Sequence, residues 1–388
     1  MRSRVRLFTA GGPSLLPAAG PACIDWPGSL TMASTAGAGP LMARDRNRDR
    51  ALTRVWLTLV AALIVAMVVV GGATRLTESG LSITEWQPVL GVVPPLNAAD
   101  WQAAFAGYQQ TPEFRVMNPD MTVAEFKTIY WWEWTHRLLG RLVGVFVLVP
   151  LIYFWVAGRI APSLKPRLVA IFLLGALQGA VGWWMVASGL AERTDVSQYR
   201  LAVHLSLALA ILAYVVWVAR GLVAGQAEPA SVAARRVAGL IVAVVFVQVF
   251  LGALVAGTDA GLTFNTWPLM DGALVPSGLL AQSPAWLNFF ENVAAVQFAH
   301  RLGAYLLLAL AVGHAFQTVG TPVVGRAWAL AALVALQAVL GIATLVTAVP
   351  LTLALAHQLG AVAVLVAAVA HRRAMSPPMA WRTTPAGG

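Results

Sequence analysis

Residues 133–155 read EWTHRLLGRLVGVFVLVPLIYFW: a glutamate, a histidine three residues on, an arginine beside it, then an apolar run interrupted only by Arg141. About 20 predominantly apolar residues suffice to cross the hydrocarbon core of a bilayer as a helix. The run over 137–156 is therefore read as a membrane span with His136 at its edge. A histidine there is costly unless it has a task. The same arrangement recurs. Thr135-His136-Arg137-Leu138-Leu139-Gly140 is matched by Ala299-His300-Arg301-Leu302-Gly303-Ala304. Leu177-Gln178-Gly179-Ala180-Val181-Gly182 is matched by Leu336-Gln337-Ala338-Val339-Leu340-Gly341, and His204-Leu205-Ser206-Leu207-Ala208 by His357-Gln358-Leu359-Gly360-Ala361. Thr77-Glu78-Ser79-Gly80-Leu81 rhymes with Thr258-Asp259-Ala260-Gly261-Leu262. The chain is two copies of one unit, and each copy holds two of the four repeated histidines.

Composition carries the reading outward. Hydrophobic residues make up 59% of the chain and charged residues 11%, against about a quarter charged in a soluble domain. Apolar windows place eight spans, at about 54–74, 137–156, 168–187, 201–220, 237–256, 299–318, 326–347 and 352–371. In lipid every backbone group must be satisfied within its own segment, so the spans are helices. Each copy has four. An even number returns the chain to the same side, so the copies run parallel and their symmetry axis lies along the membrane normal. The expected fold class is an all-α integral membrane protein, with eight transmembrane helices in two four-helix bundles related by a pseudo-two-fold axis. The expected organisation is a disordered extension over 1–50, one bundle over 51–225, a second over 226–375 and a disordered tail over 376–388. Cys23, the one cysteine, falls in the extension. The core therefore has no disulfide, thiolate metal site or cysteine-held cluster.

Basic residues orient the spans. With the N-terminus inside, fifteen Lys and Arg fall in inner segments and five in outer loops, a positive-inside bias. The net charge of +10 thus needs no nucleic-acid partner; it is an orientation signal and an attraction to anionic lipid. Both termini are expected on the inner side. The long loops 75–136 and 257–298 then face outward, and all four repeated histidines sit near that surface.

Two imidazoles facing each other across a bundle suit the axial ligation of a haem. His136 pairs with His204, and His300 with His357. Small residues follow the histidines on their own faces, Gly140 and Gly144 among them, leaving room for a flat ligand or for close helix packing. His314 and His371 have no counterparts in the first copy. They read as a polar packing residue and an interfacial cation. Trp131, Trp132 and Trp134 read either as interfacial anchors or as a lid over a bound ring. Arg137 and Arg301 could pair with propionates or snorkel. One position separates the copies. Glu133 lies one helical turn before His136, whereas the equivalent residue before His300 is Gln297. A carboxylate there can move a proton or stabilise developing positive charge; its bland alternative is a helix N-terminal cap. The asymmetry assigns chemistry to the first site and electron storage or transfer to the second. Two other classes remain open at this point. One is a di-haem cytochrome that only transfers electrons. The other is a transporter with repeated halves, whose midplane polar residues are weak here.

At these residues the chain resembles the haem A synthase family over 54–371. The resemblance rests on Gly71-Gly72-Ala73-Thr74-Arg75-Leu76-Thr77-Glu78-Ser79-Gly80-Leu81-Ser82, on Glu133-Trp134-Thr135-His136-Arg137, on Gln178-Gly179 with Gly182, and on the four histidines. It implies oxidation of a ring methyl of haem O to a formyl group, giving haem A for terminal oxidases. It further implies that His136 and His204 present the substrate iron, that Glu133 is the catalytic carboxylate, and that His300 and His357 hold the cofactor haem b. Some members carry an outer-loop cysteine pair. This core has none, and so is similar to the cysteine-free proteobacterial and mitochondrial branch, in the bacterial or mitochondrial inner membrane. Electron delivery through a thiol pair in this core is excluded, which leaves the redox partner open. Haem O synthase and a second copy of the chain are candidate partners.

Overall fold

A computed structural model describes residues 38–379 except 88, 89, 192, 224 and 226. The chain divides into two compact units, Met1–Arg44 and Asp45–Gly388. Residues 1–37 of the expected extension and 380–388 of the expected tail lie outside the described residues, and Cys23 with them. Among the described residues of the second unit the regular structure is helical, joined by turns and by long connections with one isolated bridge, Met270 to Ala273. The helices are α1 (Ala38–Leu76), α2 (Ala98–Tyr108), α3 (Pro112–Met117), α4 (Val123–Val156), α5 (Lys165–Val186), α6 (Gln198–Gly221), α7 (Val232–Gly257), α8 (Asn288–Glu291), α9 (Val293–Gln317), α10 (Val324–Val346) and α11 (Leu351–Ala374). Eight are long and apolar enough to cross a membrane: α1 from Asn47, α4, α5, α6, α7, α9, α10 and α11. They coincide with the eight expected spans, so this is a multi-pass membrane protein.

Local chemistry sets the ends. Gly158, at φ +66°, follows α4, and Gly320, at φ +79°, lies between α9 and α10; this left-handed conformation is open to glycine at little cost. Asn292 opens α9, its side chain accepting from the amides of Ala294 and Ala295, a strong N-cap. Between the spans lie short turns at one end of the molecule and long connections at the other, here called the turn end and the loop end.

The largest departure from the sequence reading is α4. Hydropathy starts the span at 137, but the helix begins at Val123. Thr122 accepts from the amide of Glu125, and the Glu125 carboxylate accepts from the amide of Thr122, a reciprocal cap that fixes the true N-terminus. Hydropathy finds only the lipid-immersed stretch of a helix. At 1.5 Å per residue, 34 residues extend about 51 Å, well beyond a hydrocarbon core of about 30 Å. The projecting stretch packs with α2 and α3 as a cap. The cap has its own core of Trp101, Phe105, Tyr108, Phe126 and Tyr130. Trp131 lies at the edge of this cap, with ring centroids 5.7 Å from Trp101 and 5.3 Å from Trp134. The loop expected over 75–136 is thus largely a small helical domain.

Among the membrane helices a single apolar core runs through both halves, from Val60 and Leu212 to Ile241 and Leu365. Helices α7, α9, α10 and α11 pack closely on one another, and α6 joins the halves by packing against α5, α7 and α11. In contrast α4 shows Leu142, Val145, Val149, Ile152 and Val156 on its surface. An apolar row of that kind belongs in lipid. Polar links also join the halves. Gln358 Nε2 donates to the Val68 carbonyl at 2.8 Å, at a place where a side chain on Gly72 would collide with Gln358. Arg75 pairs with Asp259 at 3.1 Å and donates to the Ala256 carbonyl at 3.0 Å.

Candidate functional site

Four glycines place the four histidines. Each histidine helix packs against the loop-end portion of the span before it, and the imidazole rests on a glycine there. A Cβ at Gly71 would lie 3.0 Å from His136 Nε2, and one at Gly182 2.9 Å from His204 Cε1. At Gly252 the distance would be 3.1 Å to His300 Cε1, and at Gly341 2.7 Å to His357 Cε1. At Gly182 and Gly341 that is closer than Cβ atoms come, and at Gly71 and Gly252 it would force the ring to give by a few tenths of an ångström, so glycine leaves the space each ring occupies. The four histidines thus lie at one depth near the loop end, on α4, α6, α9 and α11. His136 and His204 are within electrostatic reach of each other, and so are His300 and His357.

Three of the rings are also held by glutamine. Gln178 Nε2 donates to the His204 carbonyl at 3.0 Å and lies 3.1 Å from its Nδ1. Gln248 does the same to His300, at 2.9 and 3.1 Å, and Gln337 to His357, at 2.8 and 3.0 Å. Each glutamine lies four residues before the glycine on which its histidine rests. Gln337 and Gln248 fill space left by Gly360 and Gly303. Those glycines after the histidines therefore admit a neighbouring side chain, whereas Gly144 faces open space. Gln248 and Gly252 escaped the sequence reading, and Gly71 entered it only as part of the motif shared with the family. The signal was present as a Q-x-x-x-G spacing used three times: 178–182, 248–252 and 337–341.

The donor set can be tested against a haem. Among the described residues no cluster of three or more His, Cys, Asp or Glu could hold an ion unaided. Two imidazoles per site instead suit iron whose remaining ligands come from a macrocycle. A metal-bound imidazole carries its proton on the nitrogen away from the metal and gives it to a neighbouring acceptor. The amide oxygens of Gln178, Gln248 and Gln337 are buried without a partner, and each amide touches the ring through its nitrogen, so turning the amide end for end would bring its oxygen to a ring N–H. The four glycine cradles, with these oxygens beside His204, His300 and His357, fit a haem at both pairs.

Glu133 sits 2% exposed, a turn before His136 and ten residues inside α4, so it does not cap the helix. Its Oε2 accepts from Ser82 Oγ at 2.8 Å and from the Ile83 amide at 2.7 Å. Its Oε1 pairs with Arg137 at 2.6 Å. Arg137 also donates to the carbonyls of Ile83 and Glu85. The same frame exists in the second half. Arg301 donates to Gln297 Oε1 at 2.9 Å and to the Phe264 carbonyl at 3.0 Å, and Gln297 Nε2 donates to the Ala260 carbonyl at 2.6 Å. The two arginines thus tie the loops after α1 and α7 to the histidine helices. Both loops turn alike, with Glu78 at φ 51° and Asp259 at φ 50°. The two histidines without counterparts form a pair of their own at the turn end. His314 Nε2 and His371 Nε2 are 2.9 Å apart, 1% and 2% exposed. His371 thus turns inward instead of standing at the interface.

A family model for cytochrome oxidase assembly proteins, COX15-CtaA, matches residues 54–369. Proteins named heme A synthase are similar over most of their length. That of Chelativorans sp. is 55% identical over 339 residues, 86% of this chain and 94% of its own. That of Brucella ovis is 55% identical over 332 residues, 84% and 93% of the two chains. That of Allorhizobium ampelinum is 54% identical over 351 residues, 89% and 96%.

Proposed function

The chain belongs to the haem A synthase family of cytochrome oxidase assembly proteins, and from that premise we propose how its residues divide the work. The protein oxidises the ring methyl of haem O to a formyl group, giving haem A. Two successive hydroxylations of one carbon, each adding an oxygen atom and drawing two electrons to an external oxidant, give a gem-diol, and loss of water leaves the aldehyde. His136 and His204 hold the iron of haem O and so set the depth and direction of the ring. His300 and His357 would hold haem b, which would supply an electron-transfer centre.

The observation that carries this division is the shared frame of the two halves with one ionisable difference. Glu133 and Gln297 occupy matching places, each bonded to the arginine four residues on and to the loop of its own half. Only Glu133 can take up a proton and release it. Held by Ser82, Ile83 and Arg137, its carboxylate is fixed in position near His136, where it receives a proton lost from the methyl carbon. The loop 79–85 and the cap of α2 and α3 cover this end and limit water. The loop end faces the periplasm or intermembrane space, and both termini face the cytoplasm or matrix. This side assignment follows the excess of basic residues at the turn end. The protein resides in the bacterial or mitochondrial inner membrane.

The test is expression in cells that make haem O and lack their own activity, followed by extraction and mass identification of haems. Haem A should appear only with the protein. Haem b bound at both pairs, with no haem A formed, would turn the reading to a di-haem electron carrier.

A further inference from the structure

The glutamines that hold three of the histidines are not matched at the fourth. His204, His300 and His357 each have a glutamine four residues before their glycine. His136 rests on Gly71, and the residue four before it is Met67. Methionine has no N–H to donate. Its methyl carbon instead points toward Gly140, where a Cβ would lie 3.2 Å away. The ring responds. His204, His300 and His357 turn their Cε1 edge to the glycine, whereas His136 turns Nε2 to it. So the second pair has two glutamine clamps, and the first pair has one clamp and one free ring.

We propose that Met67 makes His136 the exchangeable ligand through which the substrate haem enters and the product leaves. The glutamines act as positioning residues. Each joins its histidine's ring and main chain to the neighbouring helix, so a haem between two clamped rings stays. A haem held by Gln178–His204 on one side and unclamped His136 on the other departs through rotation of His136. This rests on the assignment of the first pair to haem O and the second to haem b. An enzyme whose substrate and product are both haems needs one site that lets go and one that does not. One missing side-chain amide supplies that difference.

The experiment uses the purified full-length protein carrying its haems and follows transfer to excess apomyoglobin, separately for haem b and for haem O or haem A. The Met67→Gln variant should slow loss of the haem from the first site by about fivefold, the effect of one neutral hydrogen bond. Met67→Leu, which adds no donor, should exchange like the wild type. Gln248→Met should speed loss of haem b by a similar factor and leave the first site unchanged. Met67→Gln releasing its haem at the wild-type rate, while remaining folded with its haem b spectrum intact, would overturn the proposal. So would Gln248→Met retaining haem b as tightly as the wild type. The underlying site assignment is tested apart from this, by His300→Ala and His357→Ala. If those variants keep haem b and lose the substrate haem, the assignment is at fault and not the clamp.

Discussion

At the scale of single residues, two substitutions separate chemistry from support. Gln297 demonstrates that an amide fits the place Glu133 occupies, bonded to arginine and loop. Glu133→Gln should therefore keep the fold and the haem b spectrum. Haem A in membranes should fall by about 10²–10⁴, the usual contribution of a positioned acid–base group, with haem O or a hydroxylated intermediate accumulating. Wild-type haem A at equal protein levels would make Glu133 a loop tie and nothing more. The second substitution is Gly341→Ala. An alanine in a helix interior is ordinarily better than glycine by about 1 kcal/mol. Here its Cβ would lie 2.7 Å from His357 Cε1. The expected result is a helix at least as stable and a weakened low-spin haem b signal in the reduced-minus-oxidised spectrum; an unchanged signal would remove the cradle from the argument. The histidines were legible in the sequence because a titratable ring in an apolar span stands out. The role of their supports was not, although Gln178, Gly182, Gln337 and Gly341 recur in the repeat, because glycine and glutamine near a helix end look like ordinary packing and ordinary polarity.

At the scale of elements, the spans were legible from hydropathy, but the cap was not. Hydropathy registers lipid and stops at its surface, so α4 before residue 137 and the short α2 and α3 read as loop. The missed signal was the Thr122–Glu125 pairing ahead of an apolar-aromatic stretch. The cap carries a pH dependence. Glu113 on α3 is 5% exposed, and burial pushes its carboxyl from the ordinary 4.5 up to about 8, although the nearby Tyr108 opposes this. The folded cap therefore keeps a proton that the unfolded chain has released. Its stability should be greatest below about pH 4.5 and decline as the pH rises through about 8. Hydrogen exchange over residues 98–117, corrected for intrinsic rates, should reveal protection falling between pH 5 and pH 8. In Glu113→Gln that decline should vanish. An identical decline in the variant would assign it to another group.

At the scale of the whole molecule, the charge pattern predicts sidedness. Reporter fusions at Asp100 in the cap and at the C-terminus should report opposite sides of the membrane, and the same side for both would mean a span is miscounted. The halves meet through an apolar core, so their few polar ties are minor. Arg75–Asp259 is partly exposed, and Asp259→Asn should change stability by no more than about 1 kcal/mol, read as a small shift in thermal unfolding in detergent. The repeat itself was legible because the histidine motifs recur in register. Beneath it lies a difference in kind between two nearly identical frames. Seen as the outcome of a duplication, the copies have drifted apart at Met67 against Gln248 and at Glu133 against Gln297. Writing the second copy's residues into the first, as Met67→Gln with Glu133→Gln, should return the molecule toward its undiverged state. The haem of the first site would leave about fivefold more slowly, and haem A would fall by about 10²–10⁴. On this view an enzyme and an inert pair of cytochromes stand two codons apart.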